Sequence, residues 1–375
     1  YEEVVGFVDV KLIIFLVGIM IVFKVSERSG IFRVIALYAI KLSGGDPAKL
    51  FFSICFVSAV LSLFLSDVTA ILLVAAAAET IARVMNRDPI PYFVSAAIMI
   101  NLGGTSTLIG STSNMIIGMA SGLSFTDFIS NLSLCEVILW VLTSLTLYFF
   151  YKPKLGDRSP PPAYDPWQDI NDKRMVYKST FILILFLVLF SLYDLWGIGP
   201  EAVALGCAIL ALAVTNVDPA DIFRRLDWET IFFIGGFFII INGVEKTGLL
   251  TFLSQKIFEL AGGSLFKAVL LTLWSSSLMS TVVSNIAVAL TYTPILMKIQ
   301  GLDSTALWSA LILGTNLGGA ATPLSGAVCI LALGALKEEG INLSFAEFSK
   351  IGFLTTLVQL AFSTIYLILR FSLWG

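Results

Sequence analysis

The stretch NLGGTSTLIGSTSN, residues 101–114, is the part of the sequence on which the interpretation of the fold depends. It is rich in Gly, Ser, Thr and Asn, carries no charge and lies between two strongly apolar runs. A similar stretch, NLGGAATPLSGA, begins at Asn316 inside another apolar segment. One copy could be a surface loop, but two copies in separate apolar segments need a structural reason.

The composition indicates an integral membrane protein. Hydrophobic residues make up 57% of the chain and charged residues 13%, whereas a soluble domain has roughly 25% charged residues. Apolar runs such as residues 12–23, 181–193 and 202–214 approach the length of about 20 residues that a membrane span requires. These runs lack strand alternation, and backbone groups in lipid must be satisfied within the segment. We therefore predict an all-α polytopic membrane protein.

The absence of His and the spacing of the Cys residues restrict the chemistry. The four Cys are too far apart to suggest a metal site or a disulfide framework, so we expect Cys55, Cys135, Cys207 and Cys329 to be small buried residues. Without His, carboxylates are the side chains best suited to carry protons near neutral pH. No cofactor is expected beyond a Na+ or H+ coupling ion.

The chain contains an internal repeat. The segment DVKLIIFLVGIMIVFKVSERSGIF from Asp9 matches DWETIFFIGGFFIIINGVEKTGLL from Asp227, and GLSFTDFI from Gly122 matches INLSFAEFSKIG from Ile341. Between them the matches keep the same order: Gly30 with Gly248, Ser66 with Ser284, and Asn101 with Asn316. The ordered matches indicate a two-fold duplication.

The distribution of Lys and Arg favours two inverted repeats. With Asp9 outside, the charged and Pro-rich linker 152–177 falls inside, and most of the 23 Lys and Arg residues fall on the same side. Two parallel repeats would distribute these residues more evenly. Only a few residues precede the first repeat, whereas two spans precede the second, so we expect either one or two further N-terminal helices in the natural chain or a naturally shorter protein.

This topology divides the chain into three parts. Residues 1–151 form the first repeat, with a re-entrant hairpin at 49–86, a broken helix at 92–120 and a returning span at 133–151. Residues 152–177 form the cytoplasmic linker. Residues 178–375 contain two leading spans, 179–195 and 200–216, and then the second, inverted repeat, with a hairpin at 267–298 and a broken helix at 304–336.

The polar stretches are interpreted as breaks within spans. A Gly-rich break frees backbone groups that lipid cannot satisfy, so it has to line a cavity. Inverted repeats with interrupted helices are typical of secondary transporters, whose substrate site lies near the membrane midplane where the breaks meet. Alternatively, the small residues only allow close helix packing. Two copies at corresponding positions favour the transporter interpretation.

The motifs FLSDVTAILLV, NLGGTSTLIGSTSNMIIG and NLGGAATPLSGA resemble those of the ion transporter superfamily, most of all its arsenite permease and NhaD sodium/proton antiporter branch (ArsB/NhaD, CitMHS-like). The similarity covers nearly the whole chain. It implies a re-entrant hairpin and a broken helix in each half, an elevator-type movement and a homodimer.

The sequence departs from that branch at two motifs. The usual Asp-Asn pair at the hairpin tip appears as Ser66-Asp67 in the first half and Ser284-Asn285 in the second, and Ser111-Thr112-Ser113 replaces an Asp-Pro-Pro triplet. Ser-Asn at a hairpin tip is similar to the divalent-anion/sodium symporters, where such residues help to hold sodium and substrate. These departures count against proton-coupled antiport.

Asp67 is the strongest single candidate for function, because an acid inside a membrane is costly and is usually functional. It could bind Na+ or a proton, or it could cap the following helix. Hydroxyl, amide and backbone groups at the breaks supply the rest of the predicted site. The first half-site contains Ser66, Asp67, Thr69, Asn101, Gly103, Thr105, Thr107, Ser111, Ser113 and Asn114. The second contains Ser284, Asn285, Asn316, Gly318, Thr322 and Ser325. We expect Na+ at Asp67, Ser66, Ser284 and Asn285.

Other charges are expected away from the site. Glu79, Glu136 and Glu201 are predicted to lie near span ends, in solvated or interfacial positions. Neither break contains Lys or Arg, so a multiply charged anion would be held by helix N-termini, hydroxyl groups and a co-bound cation. A small neutral or cationic substrate also fits.

The predicted function is secondary active transport of a small inorganic or carboxylate anion, or of a metalloid such as arsenite, coupled to a Na+ or H+ gradient. A sodium/proton antiporter using Asp67 and an ion channel are the alternatives. An enzyme is not expected, since His, a Gly-x-Ser-x-Gly elbow and paired catalytic acids are all absent. The expected partners are the lipid bilayer of a prokaryotic cytoplasmic membrane and a small ion, with no nucleic acid.

Overall fold

The computed structural model describes residues 8–65, 70–71, 88–156, 167, 170, 172–299, 302–323, 325, 327–338 and 343–373. The described part of the chain is helical and contains no β-strand. The first half contains α1 (Val10–Ser29), α2 (Ile31–Leu42), α3 (Pro47–Ser62), α4 (Ile90–Gly103), α5 (Thr112–Ser121), α6 (Phe125–Tyr151) and a short 3-10 helix (Lys152–Lys154). The second half contains α7 (Lys173–Trp196), α8 (Pro200–Thr215), α9 (Pro219–Arg224), α10 (Trp228–Lys246), α11 (Leu249–Ala261), α12 (Leu265–Ser280), α13 (Asn285–Leu296), α14 (Ser304–Gly318), α15 (Ala327–Glu338) and α16 (Phe345–Arg370).

Several helices are suited to a membrane. Within the described ranges, 4 helical segments are long and apolar enough to cross it: Phe125–Lys154, Lys173–Trp196, Trp228–Lys246 and Phe345–Arg370. Shorter apolar helices, among them α3, α4, α12 and α13, lie within the segments that were predicted as hairpins and broken helices. The predicted all-α membrane fold is therefore confirmed, whereas the inversion of the repeats stays a prediction.

Contacts divide the chain into two compact units. The first unit contains residues 1–34, 124–126 and 166–250, and α1, α7 and α8 pack together in it. Phe15 on α1 stacks on Phe190 of α7 with ring centroids 5.5 Å apart. Gly18 of α1 lies so close to α8 that an added Cβ would be 2.7 Å from the carbonyl carbon of Ala204. The small residue permits this close helix crossing.

The second unit contains residues 35–123, 127–165 and 251–375. In it α3 packs against α4, and α12 packs against α14. The helices α6 and α16 contact each other in antiparallel directions. Tyr366 near the end of α16 donates to the carbonyl oxygen of Asn131 near the start of α6 at 2.7 Å, and Gln359 donates to Thr143 at 2.9 Å. These two helices belong to matched segments of the two repeats, and the inversion of the repeats stays a prediction.

The two matched segments that begin at Asp9 and Asp227 start and end in the same way. Asp9 caps α1 by accepting from Leu12 N at 3.1 Å, and Asp227 caps α10 by accepting from Thr230 N at 3.0 Å. Gly30 and Gly248 follow these helices with φ of 84° and 77°, a left-handed conformation that favours glycine. The residues that define the helix ends are therefore among those shared by the two sequences.

Candidate functional site

Part of the first polar stretch separates two short helices. The helix α4 ends at Gly103 and α5 begins at Thr112, so residues 104–111 form the break in the segment predicted at 92–120. Ser111 caps α5 by accepting from the backbone N–H of Asn114 at 3.2 Å, and its hydroxyl lies 3.0 Å from that of Ser113. The Ser-Thr-Ser triplet thus starts the second half-helix.

Asn114 holds the first break together. Its side-chain amide is fully buried, and Nδ2 lies 2.9 Å from Gly104 O, 3.1 Å from Thr105 O and 2.9 Å from Thr107 O. An amide nitrogen carries two hydrogens, so three carbonyl groups share them. Thr105 also donates its hydroxyl to Leu102 O at 2.7 Å. These bonds supply donors to carbonyl groups in and beside the break, of which Leu102 O and Thr107 O also accept backbone N–H groups.

The second break has a similar internal network. The helix α14 ends at Gly318 and α15 begins at Ala327. Ser325 donates to Thr322 O at 2.6 Å and lies 2.8 Å from Gly319 O, while Thr322 donates to Thr281 O at 2.6 Å. Pro323 is buried in this break, where its missing N–H leaves no further donor to satisfy.

The two interrupted segments contact each other beside their breaks. Asn316 on α14 donates from Nδ2 to Oδ1 of Asn114 at 2.8 Å, and both side chains are buried. In the repeat, Asn101 matches Asn316 and Cys329 matches Asn114. These two residues also contact each other, with Asn101 Nδ2 at 3.5 Å from the sulfur of Cys329. The half-helix α5 also packs against α13, the second helix of the segment predicted as the second hairpin. The described residues of the two predicted half-sites therefore lie in one region.

Each half uses the same contacts beside its break. Ser62 donates to Ile100 O at 2.6 Å in the first half, and Ser280 donates to Thr315 O at 2.7 Å in the second. A Cβ on Gly103 would overlap with the carbonyl oxygen of Ala59, and one on Gly318 would overlap with that of Ser277. The predicted site glycines thus have a packing role, in line with the small-residue interpretation at these two positions.

The tip of the second predicted hairpin is described, whereas that of the first is not. Residues 281–284 join α12 to α13, and exposed Ser284 caps α13 by accepting from Ala287 N at 3.3 Å. Asn285 is half-buried, and its Oδ1 lies 2.7 Å from the Ser280 hydroxyl, whose one hydrogen is shared with Thr315 O. Ser66, Asp67 and Thr69 lie outside the described residues, as does much of the predicted hairpin 49–86. The predicted Na+ site therefore stays a prediction.

Two oxygen atoms at the first break lack partners among the described residues. Asn101 Oδ1 and Thr107 Oγ1 are both buried there without a hydrogen bond. A buried polar atom that forms no hydrogen bond is costly. A bound cation or a donor group would offset this cost, so these atoms are suitable ligands.

The prediction for Glu136 is wrong. The residue is 1% exposed, because α6 begins at Phe125 rather than near residue 133 and thus places Glu136 well inside the helix. Its Oε2 accepts from the backbone N–H of Ser106 in the first break at 2.6 Å, and Oε1 accepts from Trp140 Nε1 at 3.2 Å. Glu201 is half-buried in the first turn of α8, and Glu79 lies outside the described residues.

The prediction for the cysteines is confirmed, since Cys55, Cys135, Cys207 and Cys329 are all buried and unbridged. The described residues contain no cluster of three or more Cys, Asp or Glu residues that could hold a metal ion. Hydroxyl, amide and carbonyl oxygens of described residues lie at the breaks, and hard cations accept such ligands.

Comparison with known families identifies the chain. Residues 1–314 match the family described as citrate transporter, CitMHS. The chain belongs to the CitMHS citrate transporter family. It is a multi-pass membrane transporter and not an enzyme, as predicted. The resemblance to the ion transporter superfamily is confirmed as well.

Relatives of this CitMHS chain include proteins described as transporters or membrane proteins. It is 30% identical over 372 residues to an uncharacterized transporter of Mycobacterium bovis, covering 97% of this chain and 87% of the relative. It is 28% identical over 373 residues to a 46 kDa membrane protein of Mycobacterium leprae, with the same coverage of 97% and 87%. The P protein of Sus scrofa is 23% identical over 460 residues, which cover 100% of this chain and 54% of that protein.

Two solved transporters have a similar fold. The YdaH transporter of Alcanivorax borkumensis aligns with a TM-score of 0.68 at 14% identity, covering 98% of this CitMHS chain and 86% of that chain. MtrF of Neisseria gonorrhoeae, described among antimetabolite efflux pumps, aligns with a TM-score of 0.62 at 13% identity. The alignment covers 100% of this chain and 82% of the MtrF chain. At these identities the likeness concerns the fold alone.

Proposed function

We propose that this CitMHS-family chain is a secondary active transporter that moves a small carboxylate or inorganic anion, or a metalloid, in a site between the two breaks, coupled to Na+ or H+. The observation that carries the proposal is the hydrogen bond from Asn316 to Asn114, which joins the two interrupted segments in a buried polar region. The family's description makes a citrate-like carboxylate the first substrate to test.

The electrostatics of the breaks favour an anion that enters with a cation. Residues 104–111 and 319–326 contain no Lys or Arg. The helices α5, α13 and α15 begin at or beside the breaks, and their N-termini carry partial positive charge. Such partial charges favour an anion but do not balance several full charges, so the substrate needs a co-bound cation.

Neutral oxygen atoms at the breaks are suited to that cation. Asn101 Oδ1 and Thr107 Oγ1 are buried without partners among the described residues, and Ser284 is exposed at the start of α13. Na+ binding by such groups would be weakened by the loss of one oxygen rather than abolished. An elevator-type movement, as the superfamily resemblance implies, would carry ion and substrate together.

The test is uptake into proteoliposomes with the full chain. We would measure accumulation of radiolabelled citrate, phosphate and arsenite under an imposed Na+ gradient, an imposed H+ gradient, or neither. Saturable, gradient-dependent accumulation of one of these probes is expected. Asn316→Ala is expected to reduce uptake at least tenfold, whereas the control Ser304→Ala, at the exposed start of α14, is expected to leave uptake unchanged.

Three results would contradict this proposal. Unitary currents in planar bilayers would indicate a channel. Na+-driven proton movement without flux of any probe would indicate an antiporter. Uptake that Asn316→Ala leaves unchanged, in a variant with unaltered size-exclusion behaviour, would place the substrate elsewhere in the chain.

A further inference from the structure

The buried carboxylate of Glu136 is a feature that the proposed transport site does not use. It lies on α6, 1% exposed, and reaches the first break from outside it. Its Oε2 accepts from the backbone N–H of Ser106 at 2.6 Å, a short distance for an N–H donor. Its Oε1 accepts from the indole of Trp140 one turn further along α6 at 3.2 Å.

The described residues provide Glu136 with no cationic partner. None of the ion pairs among them includes this residue. The titratable side chain that interacts with it among those residues is the Cys135 thiol, its neighbour on the same helix. A buried carboxylate without a counterion is stable as a charge only while donors satisfy it, and otherwise it takes up a proton. Its state therefore depends on the Ser106 and Trp140 donors.

The other half of the chain shows that the fold does not require an acid here. When the matched segments GLSFTDF and NLSFAEF are aligned, Glu136 corresponds in sequence to Thr356 on α16. Thr356 supports its own half by donating a hydroxyl to Leu317 O at 3.2 Å. A neutral hydroxyl thus serves at this position in one half, so the acid in the other half adds an ionisable group to the same place.

We propose that Glu136 is a positioning residue that makes the conformation of the first break depend on protonation. Ionised, its carboxylate accepts the Ser106 and Trp140 hydrogens and holds residues 104–111 as described. When the carboxylate takes a proton from the aqueous phase, the hydrogen bond from Ser106 loses its charge assistance, and the break loosens. When the proton returns to water, the break closes again. The link to transport rests on the proposed function, whereas the effect on the break does not.

Thiol labelling measures the break without any substrate. Thr112 is the half-buried first residue of α5, and the four native Cys are buried, so Thr112→Cys introduces a single reporter. We would compare its reaction with a membrane-impermeant methanethiosulfonate in Thr112→Cys and in Thr112→Cys/Glu136→Gln, from about pH 9.5 to about pH 6, because burial raises the range in which a carboxyl titrates. The reporter thiol is the same in both proteins, so the ratio of their labelling rates at each pH reports the effect of Glu136.

The expected result is a labelling rate that rises several-fold at low pH relative to the double variant. Glu136→Asp keeps an ionisable group and should preserve part of this response. Thr356→Val, the matched change in the other half, should preserve all of it. An identical pH response with Glu136 and with Gln at this position would overturn the proposal, whether or not transport is detected.

A second measurement uses uptake where a transported probe has been found. Glu136→Gln keeps an acceptor for Ser106, so a purely structural role would leave the pH profile of uptake unchanged. We expect the pH dependence to flatten in Glu136→Gln and to remain in Thr356→Val. If Glu136→Gln does not fold, as judged by size exclusion, Glu136→Asp serves alone, and an unshifted profile in that variant contradicts the proposal.

Discussion

Asn316 and Asn114 lie 202 positions apart in the chain, and the amide of one donates to the amide oxygen of the other at 2.8 Å. The two residues belong to different halves of the sequence, and each sits beside the interruption of its own segment. Asn114 also binds three carbonyl groups of the first break. The Asn114 side chain therefore contacts both the first break and the helix that leads into the second.

The first prediction concerns this side chain. Asn114→Ala removes the side-chain donor to Gly104 O and Thr105 O and the acceptor for one Asn316 hydrogen. Thr107 O keeps Gly110 N as a donor, and Asn316 keeps Ile312 O as an acceptor. Each buried group left without a partner costs about 1–3 kcal/mol where water does not reach it. We expect the melting temperature in detergent to fall clearly and uptake to be lost. Asn101→Ala is the matched control, since Asn101 makes weaker contacts, with Nδ2 at 3.2 Å from Ala97 O and 3.5 Å from Cys329. Equal destabilisation of the two variants would refute the role given to Asn114.

The second prediction concerns the glycines beside the breaks. Gly318→Ala introduces a Cβ that overlaps with the backbone oxygen of Ser277, and overpacking of this kind typically costs about 1–3 kcal/mol. Gly334 on α15 has no atom within 4 Å of an added Cβ, so Gly334→Ala should stabilise by about 0.5–1 kcal/mol. Thermal unfolding in detergent measures both changes. A stable Gly318→Ala protein would contradict the close contact of α12 and α14.

The sequence predicted features that depend on neighbouring residues, such as the helix interruptions. It missed features that depend on burial and on contacts between distant residues. Gly-rich stretches with no charge predict interruptions, because the residues themselves cannot continue a buried apolar helix. The position of Glu136 was wrong because the predicted span began at residue 133, eight positions after the helix starts at Phe125. The hydrogen bond from Asn316 to Asn114 could not be predicted from the sequence either, because matched motifs indicate equivalent positions but not which groups are in contact.

The third prediction concerns the coupling ion. Ser284 is exposed at the start of α13, and Ser284→Gly removes its hydroxyl with a capping cost of only a few tenths of a kcal/mol. If the hydroxyl is a Na+ ligand, the Na+ concentration for half-maximal uptake should rise by about tenfold, as expected for a loss of about 1.4 kcal/mol. Ser264 starts α12 without a side-chain cap bond, so Ser264→Gly is the control. An unchanged Na+ dependence in Ser284→Gly would remove this residue from the site.

The fourth prediction separates the two roles considered for Asp67. Asn and Asp are about equally good N-caps, so Asp67→Asn preserves capping while it removes the charge that a bound cation or proton needs. We expect the variant to fold normally but to lose Na+- or H+-driven uptake in proteoliposomes.

Asp303→Asn is the matched control for this change, because Asp303 caps α14 by accepting from Thr305 N at 2.9 Å, away from the break. It should transport like the unmodified protein. A trapped pH dye in the same vesicles distinguishes the ions, since Na+-driven proton movement that disappears in Asp67→Asn would make this residue a shared Na+ and H+ site. Full uptake by Asp67→Asn would instead reduce Asp67 to a helix cap and leave coupling to the hydroxyl and amide groups of the two breaks.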